Sequence, residues 1–147
     1  NCSRRWNVGD MSISKVSAMV FESVIPLRWG DMDAMGHVNN TVYFRLIEEA
    51  RMQWFSYMNL AKSIDGEGPI LAHAACDFLK PLIYPATTKV IQRLVRLGRS
   101  SVDLESVIEC VDQAGTPYAR GKSVVVWMDY KNGKSMAWPN HIRALFE

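Results

Sequence analysis

Between residues 31 and 40 the chain crowds two carboxylates, an imidazole and two carboxamides: Asp31, Asp33, His37, Asn39 and Asn40, with glycines at 30 and 36. A carboxylate can attack an acyl carbon directly, giving an acyl anhydride, or deprotonate a water that does so. Either route needs a donor for the oxyanion that forms. A helix start supplies one, because its first backbone N–H groups are unpaired and its dipole favours negative charge. One such donor is worth about 3–4 kcal/mol of barrier. The residues after Asn40 read as an amphipathic helix, and Asn39 or Asn40 is suited to cap it with a short amide side chain. An acid-bearing loop therefore empties into a helix N-terminus.

Within this loop Asp33 stands at the right remove from the helix to supply the nucleophile or base. Asp also ties down turns, so from the residues alone both roles stay open. Only one of Asp31 and Asp33 is expected to face a substrate, and Asp31 is read as structural. His37 can orient the acid, position water or protonate a leaving group. Asn40 can serve through its side chain as a cap and through its backbone N–H as a donor. Other acyl-transfer chemistries fit less well. No G-x-S-x-G elbow is present, and His37, His73 and His141 are too scattered for a metal site. Glu48 and Glu49 have arginines nearby and read as members of solvated ion pairs, Glu48–Arg51 or Arg45–Glu49. Cys76 and Cys110 lie in apolar runs and read as packed small hydrophobes.

The elements that must hold this loop follow from periodicity. Residues 19–29 read as a strand, with Pro26 pointing to an edge position or a bulge. Tyr43, Ile47, Ala50, Trp54 and Met58 recur at spacings of three and four beside Leu46, which predicts a helix over about 40–58, roughly 28 Å long. Four strand-like runs follow at 70–79, 87–97, 102–111 and 118–130, separated by proline pairs or Gly-bearing turns, with Asn132-Gly133 closing the last. A short helix is predicted over 138–146, near Pro139. One strand, one long helix, then strands joined by short turns give an α+β domain: a long helix lying across an antiparallel sheet of five strands.

Length and composition set the bounds. A chain of 147 residues fits one domain able to bury most of its apolar surface. With 48% hydrophobic and 22% charged residues it has the composition of an ordinary water-soluble domain. A net charge of +2 is too small to imply a nucleic-acid partner. No apolar run approaches the roughly 20 residues that span a bilayer. Residues 1–18 read as a flexible leader without a secretory h-region, and residues 19–147 as the single domain. Three cysteines without C-x-x-C spacing fit a reduced, cytoplasmic setting.

The run Asp31-Met-Asp33-Ala-Met-Gly36-His37-Val-Asn39-Asn40, followed by Tyr43 and Glu49-Ala-Arg51, resembles the hotdog-fold acyl-CoA thioesterases, most of all their 4-hydroxybenzoyl-CoA thioesterase-like branch. The likeness continues through Asp77–Tyr84 and Arg96–Ser101 and spans roughly residues 20–130. It implies the hotdog fold, hydrolysis of an acyl-CoA to free acid and CoA in fatty acyl metabolism, and no metal or redox cofactor, coenzyme A being part of the substrate. It implies a catalytic acid at Asp33 and a carbonyl-polarising N–H at Asn40; not every member of the branch has a histidine matching His37. A homodimer or homotetramer follows from the resemblance too, with strands joined into a longer sheet and sites at the subunit interface. Arg96, Arg99 and Ser101 match a hairpin that often contacts the nucleotide, though a solvated turn explains them as well. Trp29, Met32, Met35, Tyr43, Phe44 and Phe78 are candidates for the acyl tunnel or for plain core. A non-catalytic acyl-CoA or acyl-carrier-protein binding module, and an acyl-thioester hydratase, are the rival readings.

Overall fold

The apolar stripe folds as a single helix, α1, over Asn40–Tyr57. The computed structural model describes residues 19–60 and 65–147, so the leader expected over 1–18 lies outside the described residues. Tyr43, Leu46, Ile47, Ala50 and Trp54 are all buried on one side of α1, and Asn59, in the left-handed region at φ 59°, turns the chain away after it.

The strands are β1 (Val20–Pro26), β2 (Glu67–Phe78), β3 (Thr87–Leu97), β4 (Ser101–Cys110) and β5 (Ala119–Asp129). They pair antiparallel in the order β1-β3-β4-β5-β2. The two hairpins after residue 87 pair next to next, as short turns require. The long connection through α1 instead carries the chain from one edge of the sheet to the other. That crossing lays α1 over the sheet.

Three boundaries differ from the sequence reading. β1 stops at Pro26, and Trp29–Asp31 forms a 3-10 turn in place of a continuing strand. β2 begins at Glu67, earlier than expected. The sheet does not end at Asn132-Gly133. Asp129 Oδ1 accepts from the N–H groups of Lys131 and Asn132, Gly133 at φ 65° turns the chain back, and a sixth strand, β6 (Lys134–Ser135), pairs with β5. The C-terminal helix α2 spans Asn140–Phe146 behind Pro139. Among the described residues no helix is long and apolar enough to cross a membrane.

Two apolar clusters fill the space beneath α1. Leu27, Val38, Tyr43, Ile47, Leu82 and Ile108 belong to one, at the end where α1 starts. Trp54, Leu94, Leu104, Trp127, Trp138 and Ile142 belong to the other. Between them runs a buried polar belt of Ser23, Gln92, Ser106 and Ser123. Gln92 lies opposite Ser106, and Ser106 opposite Gly121. Gln92 Nε2 donates to the Ile47 carbonyl at 3.0 Å, tying the middle of α1 to the sheet.

Gly121 lets the helix sit this low, because a Cβ there would stand 2.7 Å from Ile47 Cδ1. Gly121→Val is therefore expected to lower stability by about 1–3 kcal/mol through overpacking, read as a fall in the urea midpoint at unchanged m-value. Gly30→Ala, whose Cβ meets nothing within 4 Å, is the control that leaves the midpoint nearly in place.

Candidate active site

Backbone and side-chain hydrogen bonds define the acid-bearing loop almost completely. Asp31 closes the 3-10 turn: its Oδ2 accepts from the Arg28 N–H at 2.8 Å, while its Oδ1 lies 3.9 Å from Arg28 Nη2. Both Asp31 oxygens are thereby engaged, and the carboxylate lines a groove of about 380 Å³ shared with Arg45, Glu48 and Glu49. Asp31 thus holds the turn together. Residues two apart would share one side of an extended run; the 3-10 turn is what gives Asp31 and Asp33 different surroundings.

Beyond it the loop doubles back as a small hairpin. Met32 pairs with Val38, the Asn39 N–H donates to Asp31 O at 3.0 Å and the Asp33 N–H to His37 O at 2.8 Å. At the tip the Gly36 N–H donates to Asp33 O at 3.1 Å, with Gly36 at φ 78°, a conformation that favours glycine. Asp33 Oδ1 accepts from the Met35 N–H at 2.9 Å. So Asp33 does tie down a turn, but with one oxygen. Among the described residues its Oδ2 has no hydrogen-bond partner, and the side chain is partly exposed. His37 is exposed and joins the hairpin through its carbonyl.

The helix start is capped by Asn39, whose Oδ1 accepts from the Thr41 N–H at 2.9 Å and from Thr41 Oγ1 at 2.7 Å. That leaves Asn40 as the first helical residue, and its backbone N–H has no acceptor among the described residues. An uncommitted carboxylate oxygen and an uncommitted helix N–H thus belong to one short loop.

Tyr43 takes a different part from the substrate contact expected of it. It is 2% exposed, its hydroxyl donates to Lys80 O at 3.1 Å and accepts from the Leu82 N–H at 2.9 Å, and burial pushes its pKa up, with the Leu82 N–H opposing. Leu82 O in turn accepts from the Val38 N–H at 2.9 Å. Tyr43 therefore braces the segment after β2 against the acid-bearing loop. Phe78 packs edge-on to Tyr43 at 5.0 Å and near Phe44 at 6.2 Å, and remains partly exposed. Trp29 and Met35 are also exposed, whereas Met32 packs against the core cluster at the helix start.

The structure separates the remaining expected contacts from Asp33. Arg96, Arg99 and Ser101 sit at the turn after β3, whereas the acid-bearing loop leaves the sheet beside the start of β3, where Pro26 pairs with Thr87. Most of the 11-residue strand β3 separates Thr87 from Arg96, about 30 Å. Arg96 is already held there, Nε to Asp103 Oδ2 at 3.0 Å and Nη2 to Ser101 Oγ at 3.4 Å, and the Asp103 bond and charge raise its pKa. Nor do the expected helix ion pairs form. Glu49 accepts from Gln53 Nε2 at 3.1 Å. Arg51 is buried and has no carboxylate within 4.0 Å among the described residues; desolvation lowers its pKa, opposed by Glu48. Burial raises the thiol pKa of both Cys76 and Cys110, which keeps them protonated. Sequence reasoning missed Leu82, which acts through its backbone; Pro81 and Pro85 marked its segment as rigid but not what it touches.

Tyr43→Phe is expected to lose about 1–3 kcal/mol, because the buried Leu82 N–H is left without an acceptor, measured by urea unfolding.

Comparison with known proteins places this geometry. Residues 27–146 match the family model of the thioesterase-like superfamily. The PA2801 protein of Pseudomonas aeruginosa, a candidate thioesterase, superposes with a TM-score of 0.83 at 37% identity, over 88% of this chain and 99% of that one. A candidate acyl-CoA thioesterase from Xanthomonas campestris gives a TM-score of 0.68 at 37% identity, over 74% and 92% of the two chains. The YsmA protein of Bacillus subtilis is 25% identical over 118 residues, 80% of this chain and 79% of its own. A helix crossing an antiparallel sheet, with an acid-bearing loop at the helix start, is here the hotdog fold, and the chain belongs to the thioesterase-like superfamily.

Proposed function

We propose that this protein is a cytoplasmic acyl-CoA thioesterase that hydrolyses its substrate to a free carboxylic acid and CoA. The observation that carries the reading is the pairing, in one loop, of Asp33 Oδ2 and the Asn40 N–H, both without a partner among the described residues. The thioester carbonyl is polarised by the Asn40 N–H, reinforced by the α1 dipole. The Asp33 carboxylate then attacks the acyl carbon, the C–S bond breaks, and the departing thiolate takes a proton for which His37 is the nearest candidate in the sequence. Water hydrolyses the resulting anhydride and returns the carboxylate. In the alternative route Asp33 deprotonates a water that attacks directly, and the same N–H stabilises the same oxyanion. Neither route calls for a metal or a redox cofactor, and Phe78 and Phe44 offer a wall for the acyl group.

The active unit in this reading is a homodimer, or a tetramer built of two such dimers. Antiparallel pairing of β2 with β2 of a second copy brings the Arg96–Ser101 turn of one copy to the same end of the joined sheet as the Asp33 loop of the other. Nucleotide contacts from Arg96, Arg99 and Ser101 then belong to the neighbouring site.

Short, long and aromatic acyl-CoAs are assayed by thiol release. Wild-type turnover is expected to fall roughly 10²–10⁴-fold in Asp33→Asn with the assembly intact. Turnover that survives the substitution moves the acid to Glu48, Glu49 or His37. Ligand binding without turnover in the wild type supports a binding module instead.

A further inference from the structure

We infer that the second copy docks through an ion pair between Glu48 of one copy and the buried Arg51 of the other, formed reciprocally beside the β2 edge. The inference rests on the dimer reading above and adds the contact that fixes it.

Three observations converge on this surface. First, β2 bonds to β5 on one side and, among the described residues, to nothing on the other. Ile70, Leu71, Ala72, His73, Ala74 and Ala75 are exposed in succession, so both faces of this stretch lie bare as well as its edge. From Ile70 to Cys76 there is no Asp, Glu, Lys, Arg or Pro. Free edges are normally guarded by such residues. The unguarded stretch fits an edge that is covered.

Second, a groove of about 100 Å³ runs beside this stretch, between Leu71 and Ala74 of β2 and Phe44, Glu48 and Arg51 of α1, floored by Ser123. Third, Arg51 lines that groove while only 6% exposed. A guanidinium removed from water needs an anion or hydrogen-bond acceptors to offset its desolvation. Among the described residues none lies within ion-pair distance.

Among the described residues Glu48 is the one carboxylate lining the groove, it is exposed, and it stands one turn before Arg51 on the same flank of α1. A two-fold interface is self-complementary, so a residue i that meets j obliges j to meet i. Two α1 helices brought together antiparallel across joined β2 strands set Glu48 against the partner's Arg51 twice. A buried cation with no carboxylate within 4.0 Å among the described residues, beside an anion on the same rim, is the charge pattern that such a symmetry completes.

The test is a charge swap read by sedimentation of the full chain over a range of concentrations. Glu48 is exposed in the single chain, so Glu48→Arg is expected to fold normally, as judged by circular dichroism, and to weaken the dimer roughly 100-fold or more. Glu48→Gln weakens it less. Arg51→Glu combined with Glu48→Arg restores dimerisation to within about tenfold of the wild type. A monomeric wild type, a Glu48→Arg dimer as tight as the wild type, or a folded double variant no tighter than Glu48→Arg alone overturns the inference. Thiol release is measured on the same samples, so the two readings fail separately. An active protein whose dimer ignores the swap overturns only the contact, and an inactive protein whose dimer obeys it overturns only the catalytic reading.

Discussion

Leu82 is held at both ends of its peptide: its N–H goes to the Tyr43 hydroxyl and its carbonyl takes the Val38 N–H. Its side chain is fully buried in the cluster beneath the helix start. These bonds join three segments far apart in sequence: α1, the segment after β2, and the acid-bearing loop. A loop of this kind is ordinarily mobile, because few of its polar groups are paired. Here the Val38 end is pinned from below, the Met32–Val38 bridge pins the hairpin's base, and the Gly36 turn closes its tip. Among the groups left uncommitted in the described residues are one oxygen of Asp33 and the Asn40 N–H at the helix start.

The helix itself is positioned by opposing constraints. The apolar clusters at its two ends draw it down onto the sheet, and the missing side chain at Gly121 sets how low it comes. The polar belt between the clusters, with Gln92 reaching the Ile47 carbonyl, fixes where along the sheet it rests, since a buried amide that loses its acceptor is penalised while a sliding apolar contact is not. An apolar seat gives adhesion, and the belt gives register. The acid-bearing loop inherits that register because it is continuous with the first turn of α1.

Much of this was legible in the sequence. The spacing of Tyr43, Ile47, Ala50 and Trp54 marked the helix and its buried side, the alternation in residues 102–111 marked β4, and Pro26 marked an edge strand. The Asp33 loop was legible as an acid-bearing run into a helix start, while the choice between a turn role and a chemical one came only from the family resemblance. Other features depend on distances that no local pattern encodes. That β1 pairs antiparallel with β3, with Pro26 opposite Thr87, decides that Arg96 and Asp33 lie at opposite ends of the sheet, and nothing within either motif reports it. Tyr43 has the size and polarity of a substrate contact, and only the arrival of Leu82 above it turns the hydroxyl inward. Arg51 looked solvated because a charged residue on a helix usually is; its burial comes from the adjoining sheet, some twenty residues or more away in sequence.

The bond from the Met35 N–H to Asp33 Oδ1 has a chemical consequence. In solution the two oxygens of a carboxylate are equivalent, but here they are labelled by their surroundings. Oδ1 belongs to the turn, which leaves Oδ2 with the greater share of freedom to form a bond to carbon. Were Oδ2 to become acylated, the group would lose its negative charge, and the remaining oxygen would become a weaker acceptor for the amide. The turn would then be held less firmly in the covalent state than in the free enzyme. The contact that gives the two oxygens different surroundings would make the tip of the loop sensitive to whether an acyl group is attached.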